Sequence, residues 1–296
     1  MDTTENSTSG YNIKTRFIII SDTHGEEFKP EAKPLKHADV AIHCGDLTDQ
    51  SKIEEYRATI RLLKDIDASL KLVIAGNHDF TMDNPVFKRK IAEVRPPLDP
   101  DVVRREYGDY GEPVDTIIGR LGFQYHPEKG HKFSIEKGVD VVITNGPPKG
   151  IMDYTGSCQR AGCPILFGAV ARARPRLHCF GHIHEGWGAK LVTWSDQLSE
   201  TPSHFTDIDN ERSIIVERLS GLQKSRFDTP EITAAKLKKA EYYSHERCYT
   251  TSHCTGDANP LEWGAQTLFV NAAIKGTEDH PVQLPWLIDI ELPRAG

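Results

Sequence analysis

Five short apolar runs each end in side chains that can bind metal or move protons, and this pattern constrains the fold more than any other feature of the chain. Residues 16–20 (RFIII) run into Ser21-Asp22-Thr23-His24-Gly25. Residues 39–44 (DVAIHC) run into Gly45-Asp46, and residues 70–75 (LKLVIA) into Gly76-Asn77-His78-Asp79. Residues 140–144 (DVVIT) run into Asn145-Gly146-Pro147-Pro148, and residues 176–180 (RLHCF) into Gly181-His182-Ile183-His184. Near-continuous apolar runs of this length read as strands buried on both faces. Helical spacing lies between some of them. Ile53, Tyr56, Ile60 and Leu63 recur within residues 51–66, and Ile165, Leu166, Ala169 and Val170 recur before Arg174-Pro175 ends the helix. Strand–helix–strand order implies an α/β layer structure. Ligands bind beyond the carboxyl ends of strands in such sheets, where all the polar clusters sit. Loops from distant parts of the chain can therefore converge on one site.

The clustered side chains are Asp22, His24, Asp46, Asn77, His78, Asn145, His182 and His184. Carboxylate, imidazole and amide oxygen together suit borderline divalent metals such as Mn, Fe or Zn, and Mg shares overlapping ligands. No thiolate belongs to the set, which excludes a structural zinc knot. The positions are too many for one four-coordinate ion and suit two. Paired ions clamp the attacking and leaving oxygens of phosphoryl transfer. One carboxylate must then bridge them, and Asp46, the lone acid at the end of its run, is the natural choice.

Asp22-Thr23-His24, Gly45-Asp46, Gly76-Asn77-His78-Asp79 and Gly181-His182-Ile183-His184 resemble, in order, the signature of the calcineurin-like metallophosphoesterases. The segments DLTDQS, NGPPKGIMD, CQRAGCPIL, RPRLHCFGHIHEGWG and FVNAA are similar to the small metallophosphoesterase-domain-containing proteins of animals and fungi. The resemblance implies a four-layer α/β/β/α metallophosphoesterase sandwich and a two-metal hydrolase. It implies phosphodiesterase activity on a small phosphodiester, with cyclic or linear nucleotides as candidate substrates and a bridging hydroxide as nucleophile. One metal would take Asp22, His24, Asp46 and His184. The other would take Asp46, Asn77, His182 and the residue at position 145. His78 corresponds to the family's non-ligand histidine near the leaving group and is the expected general acid. Asp79 would orient its imidazole or cap a helix start, and Gly76 would let the chain turn. Asn77 and His78 are expected to meet substrate. The family usually has histidine where this chain has Asn145. An amide oxygen is a weaker donor toward such metals. That departure supports an alternative: a degenerate, low-activity relative that binds a nucleotide or a partner.

The motifs occupy part of a 296-residue chain of 38% hydrophobic and 27% charged residues, enough for a sizeable core. Residues 1–14 read as a flexible segment and residues 15–296 as one domain, with a surface insertion at about 195–264 whose one helical candidate is 230–244. Residues 190–194, 267–274 and 286–292 read as strands of a second sheet, and residues 113–136 contain short strand candidates. A net charge of -7 argues against a nucleic-acid polymer as partner. The polar N-terminus lacks a secretory signal, and no run is long enough to span a membrane. Six scattered cysteines fit reduced thiols, so a cytoplasmic location is expected. The oligomeric state is left open.

Other residues carry a plain reading beside a sharper one. His43 and His178, inside strand patterns, read as core histidines with hydrogen-bond partners. His245, Cys248, His253 and Cys254 invite a zinc reading, but their spacing fits no usual finger. Cys158 and Cys163 read as free thiols. Trp187 can stack on a nucleobase, as a substrate-binding residue, or pack in the core. Lys149 and Arg160 read as solvated charges, as do Lys236, Lys238 and Lys239 on the helical candidate.

Overall fold

The computed structural model describes residues 12–112, 133–277 and 280–294. In chain order its strands are β1 (Asn12–Ile20), β2 (Ala38–His43), β3 (Ala68–Val73), β4 (Val141–Ile143), β5 (Leu177–Phe180) and β6 (Gly188–Trp194), then β7 (Ile208–Arg218), β8 (Tyr249–Ser252), β9 (Gln266–Asn271), β10 (Lys275–Thr277), β11 (His280–Val282) and β12 (Trp286–Pro293). Its helices are α1 (Ile53–Asp65), α2 (Asn84–Glu93), α3 (Pro100–Tyr107), α4 (Pro164–Ala173) and α5 (Pro230–Glu246). Most of the expected strand candidates at 113–136 lie outside the described residues, and residues 133–136 are irregular.

Two sheets of five strands stack face to face. One runs β3-β2-β1-β12-β8 and the other β4-β5-β9-β6-β7. β1, β2 and β3 are mutually parallel, as are β4, β5 and β9. β12 runs antiparallel to β1, and β6 antiparallel to β9. Successive strand residues point to opposite faces, and the core divides accordingly. Phe17, Ile19 and Ile42 of the first sheet meet Leu177, Cys179, Leu191, Leu268 and Val270 of the second. The alternate residues Ile18, Ile20 and Ala41 pack outward onto Leu62 and Leu63 of α1. Leu166, Phe167 and Val170 of α4 cover the far side of the second sheet at Phe180, Val192, Trp194 and Phe269. The order is helix, sheet, sheet, helix, the four-layer sandwich that the resemblance implies.

Local chemistry fixes the helices beside the site. Glu55 accepts from the Lys52 amide at 2.8 Å at the start of α1. α4 begins with Pro164 and ends where Arg174 adopts a left-handed conformation before Pro175.

Four expectations change. The strands that end in polar clusters are divided between the sheets, β1 to β3 in one and β4 and β5 in the other. The 286–292 strand joins the first sheet beside β1, because its register with β1 runs from Asn12 opposite Pro293 to Ile19 opposite Trp286. That pairing also draws residues 12–14 out of the expected flexible segment. β3 is an edge strand with Leu70 51% exposed, so it is not buried on both faces. The 195–264 region is more than a surface insertion: it supplies α5 and an edge strand to each sheet, β7 against β6 and β8 against β12.

Candidate metal centre

The loops that follow β1, β2, β3, β4 and β5 gather at one end of the sandwich. Backbone bonds knit the first two: Asp22 N donates to Gly45 O at 3.0 Å, and His24 N to Asp46 O at 3.1 Å. The acids brace the others. Asp46 Oδ1 accepts from His78 N at 2.9 Å. Asp22 accepts from His182 N with both oxygens, at 3.0 and 2.9 Å. Asp22, His24, Asp46 and His182 all have left-handed backbones, with φ of 57, 48, 54 and 68°. Such conformations are uncommon outside glycine and gather where a site imposes them.

The side chains close on one another. His184 Nε2 lies 3.4 Å from Asp22 Oδ1, and His24 Nε2 4.0 Å from it. One ligand atom each from Asp22, His24 and His184 fits within a 4.8 Å span. His182 Nδ1 lies 3.7 Å from Asp46 Oδ2. The His24 and His78 rings meet edge-on with centroids 4.7 Å apart. Asn145 Nδ2 donates to Cys44 O at 3.2 Å. It sits 2.6 Å from where a Cβ on Gly76 would project, a place that Asp46 Oδ1 and N crowd more closely still. Gly76 is therefore required by close approach; its φ lies outside the left-handed region that a turn glycine would use. Asn77 is exposed between Gly76 and His78.

Burial and charge set the protonation states. Asp22 and Asp46 are 0% and 2% exposed. Burial pushes Asp46 up, but His182 and the His78 amide outweigh it and hold it at about 2. Asp46 in turn raises His182. Burial lowers His24 against the pull of Asp22 and Asp46, which favours its neutral form. Neither ring nitrogen of His24 has a protein hydrogen-bond partner, although the residue is buried. A buried polar group normally finds one. A neutral imidazole with an unpartnered nitrogen turned toward Asp22, beside buried carboxylates and two further histidines, fits a divalent cation.

Several readings are corrected. Asp79 does not touch the His78 ring, nor does its side chain cap the short turn at Phe80–Met82. Its carboxylate, fully buried, accepts from Gly76 N at 2.8 Å, Leu47 N and Thr48 N at 3.0 Å, and Thr48 Oγ1 at 2.8 Å. Burial raises it to about 7 while these donors pull the other way. Its role is to tie the second and third loops together. The Asp49 carbonyl holds His78, 2.6 Å from Nδ1. The Asp49 carboxylate faces His24 Nδ1 at 3.5 Å. Sequence reasoning missed Asp49 because an exposed acid in a Thr-Asp-Gln-Ser stretch reads as turn chemistry. Trp187 is 1% exposed, stacks on Trp286 at 5.0 Å and donates from Nε1 to Leu284 O, so it belongs to the core and is no platform for a base.

Elsewhere the plain readings mostly match the structure. His43 bonds Thr23 and the Gly45 amide. His178 bonds Thr144 through Nε2, while its Nδ1 has no partner. His253 spends both nitrogens, on Thr251 Oγ1 and Asn259 O, which removes it from any zinc site. Cys158 and Cys163 are free. Arg160 pairs with the buried Asp153 at 2.5 Å, and Lys236 and Lys239 pair with Asp228 and Glu217, so none of the three is simply solvated.

The calcineurin-like phosphoesterase family profile matches residues 15–186, a span holding every candidate ligand from Asp22 to His184. The chain belongs to that family. Metallophosphoesterase domain-containing protein 1 of Homo sapiens is 32% identical over 204 residues, covering 59% of this chain and 62% of its own length. A UPF0046 protein of Caenorhabditis elegans is 31% identical over 211 residues, covering 58% of this chain and 52% of its own. The match thus spans less than two thirds of either relative. Among solved structures, a purple acid phosphatase from yellow lupin seeds aligns with 97% of this chain and 49% of its own, at 12% identity and a TM-score of 0.38. Among the described residues, no helix is long and apolar enough to cross a membrane.

Proposed function

We propose that this phosphoesterase is a cytoplasmic, metal-dependent phosphodiesterase that hydrolyses a small phosphodiester, with cyclic and linear nucleotides as candidate substrates, using two divalent cations of the Mn, Fe, Zn or Mg group. His24 carries the reading: a histidine 7% exposed, with both ring nitrogens unpartnered, among Asp22, Asp49 and His184. Leaving a buried polar group unpaired costs about 1–3 kcal/mol, a cost that cation binding would offset. Asp22, His24, Asp46 and His184 would hold one ion, and Asp46, Asn77, Asn145 and His182 the other. When bound, such a pair supplies Lewis acidity to a phosphate ester and acidifies water near neutral pH.

The chain's own residues do the rest. With Nδ1 of His78 donating to the Asp49 carbonyl, Nε2 is the nitrogen left to carry a proton. As an imidazolium it would give that proton to the departing alkoxide. The His78 amide on Asp46 fixes the distance between acid and metal ligand. Asn77, exposed beside His78, would meet a phosphate oxygen as well as the second ion.

Metal analysis of untreated protein, paired with a panel of phosphate monoesters and diesters assayed in Mn, tests the reading. Bound transition ions and chelator-sensitive turnover of a chromogenic diester are expected. Failure to take up a divalent ion under any loading condition refutes it. Asn145 favours a second reading, a degenerate relative that binds without efficient turnover. Its side chain can offer a cation only the carboxamide oxygen, a weaker donor than imidazole, while Nδ2 donates to Cys44 O. A large gain in diesterase activity on Asn145→His would favour that reading, and high wild-type activity would remove it.

A further inference from the structure

We infer that the Asp49 carboxylate is a positioning residue for the metal centre: it fixes the tautomer of His24, holding the proton on Nδ1 so that the Nε2 lone pair faces the cation. The inference rests on the metal-dependent reading above. His24 looks two ways. Its Nε2 is turned toward Asp22 Oδ1 at 4.0 Å, on the side where Asp22 and His184 gather. Its Nδ1 is turned toward Asp49 Oδ1 at 3.5 Å, on the side of His78, a charge–dipole approach that falls short of a hydrogen bond in this structure. A neutral imidazole carries one proton, and the group facing the other nitrogen decides where it sits. A carboxylate accepts N–H and cannot donate while ionised, so Asp49 selects the Nδ1–H form. Asp22 also faces His24, yet it is the carboxylate within the ligand cluster. It leaves Nε2 free of a proton only if a cation stands between them. Asp49 also lies within 4.8 Å reach of His24 and His78, a grouping that could hold an ion of its own, but its side chain is 46% exposed and stands 3.5 Å from Nδ1, outside the Asp22–His184 cluster, and the stoichiometry measured below separates ligation from positioning.

The placement also explains why Asp49 sits three residues beyond Asp46. The loop after β2 delivers Asp46 into the ligand cluster and then turns, with Asp46 in a left-handed conformation at φ 54°. Asp49 comes back over the outer face of His24. Its carbonyl meets the His78 ring at 2.6 Å, so the same residue touches the histidines on both sides of the cleft. Carboxylate partners of this kind raise the basicity of a ligating imidazole, and their loss typically weakens metal binding ~10–100-fold.

The test compares the wild-type 296-residue chain with Asp49→Ala and Asp49→Asn, each stripped with chelator and titrated with Mn²⁺ by calorimetry. His24 is followed by ¹⁵N-histidine NMR in Zn²⁺-loaded samples. Asp49→Ala should weaken Mn²⁺ binding by ~10–100-fold with unchanged stoichiometry at saturation. Asp49→Asn, which keeps an acceptor oxygen, should fall between it and wild type. The wild-type His24 spectrum should report Nδ1–H. Metal-free variants should unfold at the wild-type temperature, which a merely structural role for Asp49 would not allow. If wild type and Asp49→Ala bind Mn²⁺ with affinities within about twofold, or if His24 carries its proton on Nε2, the assignment of Asp49 fails while metal dependence stands. A drop in stoichiometry would make Asp49 a ligand in its own right and overturn its positioning role. A wild type that binds no ion overturns the functional reading and this inference with it.

Discussion

Replacing Gly76 with alanine should damage the metal centre more than the fold. A Cβ there would lie 2.6 Å from Asn145 Nδ2 and closer still to Asp46 Oδ1 and to the Asp46 amide, which is backbone and cannot rotate away. Ordinary contact begins roughly 0.8 Å further out, near the spacing of packed atoms, so the loop after β2 must shift by something approaching 1 Å. Two effects compete. Because the φ of Gly76 is not left-handed, alanine gains ~0.4–1 kcal/mol by restricting the unfolded chain. Overpacking costs ~1–3 kcal/mol. The steric term wins, and a net loss of ~1–2 kcal/mol lowers the unfolding temperature by several degrees for a chain of this size. Function should suffer more, since a misplacement of about 1 Å costs ~100-fold in turnover. Gly146→Ala is the control: its Cβ would meet only His182 Cδ2, at 3.9 Å. Scanning calorimetry, Mn²⁺ titration and diester turnover on both variants decide the matter. If Gly76→Ala melts with wild type and binds Mn²⁺ equally well, close packing of Gly76 against Asp46 does not shape the site.

Asp79→Ala should destabilise the protein by ~3 kcal/mol or more in urea unfolding, because it leaves the buried Gly76, Leu47 and Thr48 amides without their acceptor; a loss under 1 kcal/mol would show that water replaces the carboxylate. Trp187→Phe should lower stability by ~1–3 kcal/mol and leave KM for a nucleotide diester unchanged; a selective rise in KM would restore the base-stacking role. Asp289 faces Arg16 midway along β1, bound by Arg16 at 2.7 and 2.9 Å and by Lys14 at 2.8 Å. Burial pushes its carboxyl up, but these partners prevail and hold it below the ordinary value. Its stabilising effect is therefore full above the unfolded pKa of ~3.9 and is lost as pH falls through the lower folded value. The urea midpoints of wild type and Asp289→Asn should differ at pH 7 and converge near pH 2, and a gap that persists in acid would contradict this.

The positions of the polar clusters were more legible in the sequence than the pairing at the edges of the sheets. Asp22, His24, Asp46, His78, His182 and His184 sit where the strand ends announce them, because a strand buried among apolar neighbours must release its polar residues at its end. Asn145 reaches Cys44 of the neighbouring loop as the convergence of loops requires. What stayed hidden depended on distant partners. Asp79 looked like a companion of His78 because it is adjacent in sequence, yet its carboxylate points the other way, to Leu47 and Thr48. β7 reads as polar because it is a half-exposed edge strand whose pattern, Ile208 to Arg218, is broken by bulges against β6. β8 has four residues and pairs in parallel with β12, nearly forty residues further on, and no local pattern carries that pairing.

The bonds of Asp22 and Asp46 bear on how metal and folding are coupled. Each acid has a second task besides its proposed ligation: Asp22 takes the His182 amide from the loop after β5, and Asp46 takes the His78 amide from the loop after β3. The loops are therefore braced across both sheets by the carboxylates themselves. This differs from small metal-dependent domains, in which the ion organises an otherwise unfolded chain. Here the core between the sheets folds the chain and the acids fix the loops, so on the proposed reading a cation would enter a formed site. Metal should then act as an ordinary ligand of the native state. At a free concentration one hundred times Kd it should add ~2.7 kcal/mol of stability, leaving a chelated protein that still unfolds cooperatively. Loss of the cooperative transition in chelator would show instead that the cation, and not the crossed carboxylates, holds the five loops together.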